Sequence, residues 1–159
     1  MPEWRGWFRI NYTEVIFMIN NQRVLSDIIK TSQMGISGIE VVMDRTHQPA
    51  LRQALKVQRK EYSDIEQQAK LLAQRKGYKI DQIKPITKTM SAMASRGQLM
   101  VGEPDSKIAG MMIQGNTRGM LLSLKNMRRC NNPDAQVAEL AQRLLETEKN
   151  NIMSMEGFV

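Results

Sequence analysis

The chain has 159 residues, of which 42% are hydrophobic, 25% charged and 5% aromatic. This length and composition fit one folded domain that buries a core without disulfides, and they exclude a disordered chain. The net charge is +7, and the single cysteine, Cys130, excludes an intrachain disulfide. No apolar run approaches the roughly 18 residues that span a bilayer, and the first residues lack the apolar stretch of a secretory signal. These features predict a cytoplasmic protein with no transmembrane segment.

The first residues differ from the rest of the chain. Residues 1–12 do not continue the helical periodicity that follows, so we assign them to an N-terminal extension and residues 13–159 to the helical bundle domain. Trp4, Trp7 and Phe8 favour packing onto the bundle or onto a partner subunit, and they also suit a membrane interface.

A first long helix is predicted from Thr13 to Met43. Thr13 suits the N-cap position, and Glu14 places a negative charge beside the positive end of the helix dipole. Gly35 and Gly38 lie inside this helix and each weakens it by about 1 kcal/mol relative to alanine. We therefore expect another helix to cross closely there. The inward face is predicted to comprise Val15, Met18, Gln22, Leu25, Ile29, Ser32, Ile36, Ile39 and Met43.

The second helix has the clearest periodicity in the chain. After a short turn that contains His47, Pro49 suits the first turn of a helix, and Gly77 is placed to end it. Its apolar residues alternate steps of three and four, the spacing of helices that cross at about 20°. A tight turn between two long helices predicts antiparallel neighbours. The predicted inward residues are Leu51, Leu55, Gln58, Tyr62, Ile65, Ala69 and Leu72.

The same helix and the turn after it have a strong excess of positive charge. Between residues 52 and 79 there are eight lysines and arginines and three acidic residues. Such a face attracts phosphate backbones or anionic surfaces, but charges of this kind more often serve only to solvate a helix. We favour the solvated surface and keep nucleic-acid binding as the alternative. The basic residues are Arg52, Lys56, Arg59, Lys60, Lys70, Arg75, Lys76 and Lys79.

Beyond residue 79 the pattern is looser, and it contains no strand signal. A short helix is predicted from Pro85, a long helix from Asp105 to Arg129, and a last helix capped by Asn132 with Pro133 in its first turn. The fold class is therefore all-α, an antiparallel four-helix bundle with one additional short helix. The predicted inward faces are Ala109, Ile113, Thr117, Met120, Leu124 and Met127 for the long helix, and Val137, Leu140, Ala141, Leu144, Leu145, Ile152 and Met155 for the last.

Several short strings resemble those of ferritin-like helical bundles. Residues 30–35, 49–55 and 74–78 look like the first helix pair of spore-coat F-type proteins. In the second half, residues 111–115 and 146–152 look like bundles of the same class from Gram-positive anaerobes. The resemblance implies a ferritin-like fold and a spore-associated role. None of these strings is a catalytic motif, so the resemblance implies no catalytic activity.

Ferritin-like proteins with di-iron chemistry place a glutamate on each of two helices and a Glu-x-x-His pair on each of the other two. This chain has one histidine, His47, and the pattern places it in a turn away from the bundle centre. We therefore predict no metal and no cofactor. Glu148 is expected to be buried and hydrogen-bonded in a polar layer with Gln22, Gln58 or Gln114. A degenerate metal site, the third interpretation, would draw its carboxylates from Glu40, Glu61, Asp64 and Glu148.

Other catalytic chemistry has little support. A cysteine nucleophile would need Cys130 beside His47, and an inert surface thiol is the simpler interpretation. The glycines between residues 110 and 119 fall within a helix and match no phosphate-binding loop. We therefore predict a non-enzymatic bundle with a structural or scaffold role, acting through a protein partner or as a homo-oligomer. The candidate contact residues are Trp4, Trp7, Phe8, Met111 and Met112, because aromatic rings and methionines favour interfaces.

Overall fold

The computed structural model describes residues 12–80 and 103–159, which form four α-helices packed side by side. No strand occurs within those two ranges. The all-α four-helix bundle that the sequence predicts is therefore confirmed, while the short helix predicted from Pro85 lies outside the described residues. The helices are α1 (Tyr12–Met43), α2 (Pro49–Arg75), α3 (Pro104–Arg129) and α4 (Ala135–Glu156).

Hydrogen bonds at the two ends of the bundle fix the directions of the helices. At one end, the carboxylate of Asp105 at the start of α3 accepts hydrogen bonds from two backbone N–H groups of the α1–α2 turn. At the other end, Lys76 after α2 pairs with Asp134 before α4, whose backbone N–H donates to Asn21 near the start of α1. Helices α2 and α3 therefore run in one direction and α1 and α4 in the other. The closely packed pairs α1–α2, α3–α4 and α2–α4 are antiparallel.

Helix α2 buries every residue that its apolar periodicity predicts to face inward. All seven predicted inward residues, from Leu51 to Leu72, are buried along one face. Pro49 occupies the first turn, and Gly77 follows the helix with a φ of 67°, a left-handed conformation that favours glycine. Because each large apolar side chain contributes about 1.5–3 kcal/mol when it leaves water, α2 is anchored along its whole length.

Helix α1 follows its predicted pattern from its middle onward but not at its start. Leu25 and Ile39 are fully buried, whereas Met18 is 46% exposed, so the prediction for Met18 is wrong. Gly35 is the expected point of close crossing. A Cβ atom built on Gly35 would lie 2.5 Å from the ring of Tyr62 in α2, so any side chain at this position would overlap the ring.

The predicted inward face of α3 is wrong by one position. Of that face only Ala109 is buried, while Leu124 and Met127 are 38% and 40% exposed. One position corresponds to about 100° of rotation around a helix. Beyond Met112, helix α3 therefore turns only small and polar residues towards the bundle and leaves its apolar stripe partly or largely exposed. The buried residues are Asp105, Ile108, Ala109, Met112, Asn116, Gly119, Ser123 and Asn126.

Helix α4 begins two residues later than its predicted start at Pro133. The cap is Asp134 and not Asn132, because the Asp134 carboxylate accepts hydrogen bonds from two backbone N–H groups of the first turn. The neighbouring Lys76 ammonium lowers the pKa of Asp134 below its usual range. The predicted inward residues of α4 are buried except Ile152, which is half-buried.

Candidate functional site

A layer of buried polar side chains crosses the apolar core near the middle of the bundle. We call Tyr62, Asn116, Glu148 and Asn151 the polar centre. These side chains come from α2, α3 and α4, and each residue is at most 6% exposed. The Tyr62 hydroxyl oxygen lies 2.6 Å from Oδ1 of Asn116 and 2.8 Å from Oε2 of Glu148. One phenol therefore links three helices through hydrogen-bonding groups.

Two glycines make room for this centre. Gly35 of α1 lies against the ring of Tyr62, and Gly119 of α3 lies against the carboxyl group of Glu148. A Cβ atom at Gly119 would overlap the carboxyl oxygen, so only the smallest residue fits there. This contact explains why the inward face of α3 differs by one position from the face that its apolar periodicity predicts. Once Gly119 faces Glu148, Asn116 lies one turn away on the same face, opposite the Tyr62 hydroxyl.

The electrostatics of the polar centre favour an uncharged carboxyl group. Burial raises the pKa of Glu148 to about 8, and the contact with the Tyr62 hydroxyl lowers it by a smaller amount. Burial, followed by the negative charge of Glu148, raises the pKa of Tyr62 above its usual value. A buried carboxylate without a cation beside it is costly, and taking up a proton removes that cost. Glu148 is therefore mostly protonated at neutral pH.

Several buried polar atoms in this layer have no hydrogen-bond partner within the described ranges. They belong to Asn116 and Asn151 of the polar centre and to Gln58 and Ser32 beside it. An unmade hydrogen bond of a buried group costs about 1–3 kcal/mol. The layer therefore contains buried donors and acceptors whose hydrogen bonds are not all made. The atoms are Asn116 Nδ2, Asn151 Nδ2, Gln58 Oε1 and Ser32 Oγ. Asn151 also acts on the Tyr62 phenol, because hydrogen bonding by its side chain lowers the pKa of Tyr62 by less than burial raises it.

The sequence prediction for Glu148 is confirmed in one respect and wrong in another. Glu148 is buried and hydrogen-bonded, as predicted, but its partner is Tyr62 and none of the three glutamines. Gln22 donates to the backbone carbonyl of Lys79, and Gln114 is exposed. The missed members of the site had a signal in the sequence. On α3, small and polar residues recur with steps of three and four, as apolar residues do in an ordinary core: Asn116, Gly119, Ser123 and Asn126.

The four carboxylates considered for a metal have separate partners. Glu40 pairs with Arg59, Glu61 with Arg143 and Asp64 with Lys60, whereas Glu148 contacts Tyr62. In residues 12–80 and 103–159 no three His, Cys, Asp or Glu side chains are grouped so that they could hold a metal ion. We assign none of these residues as a metal ligand, and the carboxylate metal site stays a prediction.

The structure separates the two residues of the Cys-His hypothesis. His47 lies in the α1–α2 turn, where its backbone N–H donates to Asp105. Cys130 follows the last residue of α3, at the opposite end of the bundle. It is buried, so the predicted surface position of this thiol is wrong, and burial raises the pKa of the thiol. The hypothesis of a Cys130–His47 catalytic pair is therefore wrong.

Half of the basic residues predicted on and after α2 lie beside a carboxylate. Arg52 donates to Thr46, and Lys56, Arg75 and Lys79 are exposed. Pairing lowers the positive potential that would attract a phosphate backbone. Nucleic-acid binding stays a prediction, and retention on DNA across a salt series tests it. The pairs are Arg59–Glu40, Lys60–Asp64, Lys70–Glu66 and Lys76–Asp134.

Exposed apolar side chains are concentrated at one end of the bundle. Seven of the twelve large hydrophobic residues exposed in the described part of the chain lie in the first turns of α1 and the last turns of α3, which share the end near Asp134. We call these seven residues the apolar end. Their exposed fractions run from 36% to 58%. They are Ile16, Met18, Ile19, Leu121, Leu122, Leu124 and Met127.

Positive charges border the apolar end. Lys125, Arg128 and Arg129, which we call the basic rim, are exposed in the same turns of α3 and have no ion-pair partner within the described residues. The contact residues predicted from sequence are different. Met112 is 8% exposed, so its assignment to a contact surface is wrong, and Met111 is half-buried. The remaining three, Trp4, Trp7 and Phe8, lie outside the described residues.

Comparison with known proteins identifies the class of fold. No protein-family model matches the chain, and no curated protein matches its sequence. Among solved structures, the chain is similar to the crystal structure of a DUF305 fragment from Deinococcus radiodurans, with a TM-score of 0.70 over 87% of this chain and 93% of that chain. The sequence identity is 16%, so this likeness shows the fold alone. Among the helices described above, none is both long and apolar enough to cross a bilayer.

Proposed function

We propose that this chain is a non-enzymatic helical bundle that acts through contact with another protein, made by the apolar end. The observation that carries the proposal is the clustering of seven exposed large hydrophobic residues at one end of the bundle. Single exposed hydrophobic residues are ordinary, whereas concentrated ones are typical of contact surfaces. Burial of such side chains on association would contribute about 25 cal/mol for each Å² removed from water.

The basic rim defines the chemistry of the partner. The three cations of the rim lie beside apolar side chains of the same turns of α3, so a complementary surface presents apolar residues with carboxylates beside them. A second copy bound symmetrically would bring two basic rims together, and this repulsion opposes association at low salt. We therefore favour a partner of different sequence, with an acidic and apolar surface. The homo-oligomer predicted from the sequence is the alternative outcome.

The proposal includes the ferritin-like character and the cellular location expected from the sequence. Helices α2 and α3 run in the same direction. In ferritin-like folds the second and third helices, which one long crossover connects, also run in the same direction. The single cysteine is compatible with a cytoplasmic protein, and the short strings named above support a spore-associated one. Isolation of spores and cytoplasm, with immunodetection of the chain, tests the location.

Site-specific photo-crosslinking in the producing cells tests the contact. A photoreactive amino acid replaces Leu121 in one variant and Val57 in a matched control, because these residues are 49% and 54% exposed, and Val57 lies in the first half of α2, away from the end near Asp134. We expect position 121 to give a discrete cross-linked protein and position 57 to give none. The cross-linked peptide of the partner should contain apolar and acidic residues. Lys125→Glu combined with Arg128→Glu should weaken the cross-link at least several-fold.

Three results of this experiment would contradict the proposal. Equal cross-linking at positions 121 and 57 would mean that the apolar end is not a specific contact. If the Lys125→Glu and Arg128→Glu substitutions leave the cross-link unchanged, the proposal that the partner surface is acidic is wrong. A cross-link to a second copy of the chain, with association that strengthens as salt rises, would replace the proposed partner by a homo-oligomer.

A further inference from the structure

The Tyr62 hydroxyl has one proton and two oxygen atoms within hydrogen-bond distance. These are Oδ1 of Asn116 at 2.6 Å and Oε2 of Glu148 at 2.8 Å. A phenol O–H donates to one acceptor only, and an ionised carboxylate and an amide oxygen donate nothing. Both short contacts are therefore hydrogen bonds only if a second proton is present, either on Glu148 or on the nitrogen of a reoriented Asn116.

Two arrangements meet this requirement. In the first, the protonated Glu148 carboxyl donates to the Tyr62 oxygen, and the Tyr62 O–H donates to Oδ1 of Asn116. In the second, Glu148 is ionised and accepts from the Tyr62 O–H, while the Asn116 amide is turned by about 180° and donates through Nδ2 to the Tyr62 oxygen. The second arrangement supplies a partner to Asn116 Nδ2, which lacks one in the first.

We propose that Glu148 is a proton-binding site whose occupancy sets the direction of the hydrogen bonds that run through Tyr62 and Asn116. On release, the proton of the Glu148 carboxyl passes to water. The Tyr62 O–H then turns from Asn116 to Glu148, and the Asn116 amide rotates. One proton leaves the protein, and every other hydrogen stays on its own heavy atom. A single proton is thereby coupled to side chains on α2, α3 and α4.

The surroundings of Glu148 favour this behaviour. Tyr62 of α2 is the titratable group that faces it. Helix α3 presents Gly119 and Asn116, which have no charge, and α1 reaches the layer through Gly35 against the Tyr62 ring. No lysine or arginine of the described residues acts on the Glu148 carboxyl. Burial therefore dominates, and it raises the pKa of Glu148 to about 8, so the proton is held at neutral pH and released in mildly alkaline solution.

NMR titration of the full chain tests the proposal. Glutamate side chains labelled with ¹³C and asparagine side chains labelled with ¹⁵N are followed from about pH 5.5 to 9.5. We expect the Glu148 carboxyl signal to move with a midpoint near pH 8, and the Asn116 side-chain amide signals to move with the same midpoint. Once Nδ2 donates to Tyr62, hydrogen exchange of that amide should slow.

Variants locate the coupling. In Glu148→Gln, the new amide donates to Tyr62 as the protonated acid does, so the Asn116 signals should keep their low-pH positions throughout. Tyr62→Phe should leave Asn116 insensitive to Glu148. Glu146→Gln changes an exposed glutamate on the same helix, and the response of Asn116 should survive it.

Two outcomes would overturn the proposal. The first is a Glu148 carboxyl that is ionised across the whole range, and the second is an Asn116 amide that stays unchanged while Glu148 titrates. If Tyr62→Phe fails to fold, comparison of the unaltered chain with Glu148→Gln still decides between the outcomes. None of these measurements involves the apolar end. A result that overturns the proton-binding site would therefore not contradict the proposed protein contact.

Discussion

Helices α2 and α3 show opposite relations between apolar periodicity and burial. All seven residues of the α2 stripe are buried, whereas α3 buries Asn116, Ser123 and Asn126 and exposes Leu124 and Met127. The difference lies in where each helix carries its contacts with the polar layer. Helix α2 reaches the layer through Gln58 and Tyr62, which lie on its predicted stripe, whereas α3 reaches it through Asn116 and Gly119, which lie beside its apolar stripe. An apolar stripe therefore identifies the buried face only where the residues that make the polar contacts lie on that stripe as well.

The exposed stripe of α3 is a consequence of that rotation. Apolar residues at Leu121, Leu124 and Met127 are spaced three apart and are neighbours on the helix surface. Because the inward face of α3 is occupied by the contacts with Glu148 and Tyr62, these residues remain available at the surface. The polar centre and the proposed protein contact thus lie on two faces of the same helix.

The largest effect is expected from titration of the polar centre. Since burial raises the pKa of Glu148 from its usual 4.5 to about 8, the folded state holds a proton that the unfolded state has released over that range. The free energy of unfolding should therefore fall as pH rises from 4.5 to 8 and then level off, by at most about 5 kcal/mol. Urea denaturation at a series of pH values measures this dependence. Glu148→Gln should remove it, and equal slopes in the two proteins would contradict a protonated Glu148.

The apolar face of α2 is tested by Leu55→Ala. Leu55 is fully buried, so truncation removes transfer free energy and leaves a cavity, at a cost of about 2–5 kcal/mol in the free energy of unfolding. Urea denaturation at constant pH measures this loss. A loss below about 1 kcal/mol would mean that α2 is not anchored in the core as described.

The tight approach of α3 is tested by Gly119→Ala, with Gly115→Ala as its matched control. A methyl group at position 119 would overlap the Glu148 carboxyl, so we expect a loss of about 1–3 kcal/mol. Position 115 lies in the same helix, is exposed and has nothing within 4 Å of an added Cβ. There, alanine should stabilise the helix by about 0.5–1 kcal/mol. Similar effects at both positions would reject the close contact at Gly119.

The smallest effect is expected on the exposed stripe of α3. Leu124→Ala removes the same atoms as Leu55→Ala from a residue that is 38% exposed. We expect the free energy of unfolding to change by less than about 1 kcal/mol, since surface substitutions have small effects. Thermal or urea denaturation measures it. A loss as large as that of Leu55→Ala would show that the apolar side of α3 is buried after all.

Local signals in the sequence predicted the helices and one buried face well. The α2 helix begins at Pro49 and ends just before Gly77 as predicted, because a proline in the first turn and a glycine in the left-handed region act through the backbone of adjacent residues. Burial of Glu148 was also predictable, because it lies on the apolar face of α4. Each of these features depends on residues a few positions apart.

Only the tertiary structure decided which face of α3 turns inward, which group Glu148 contacts, and that His47 and Cys130 lie at opposite ends. The contacts of Tyr62 join residues 54 and 86 positions apart in the chain. Periodicity describes a helix surface but contains no information about the chemistry that it will face. The glycine that admits a carboxyl group, the amide that meets a phenol and the apolar stripe left at the surface follow from the packing of four helices against one another.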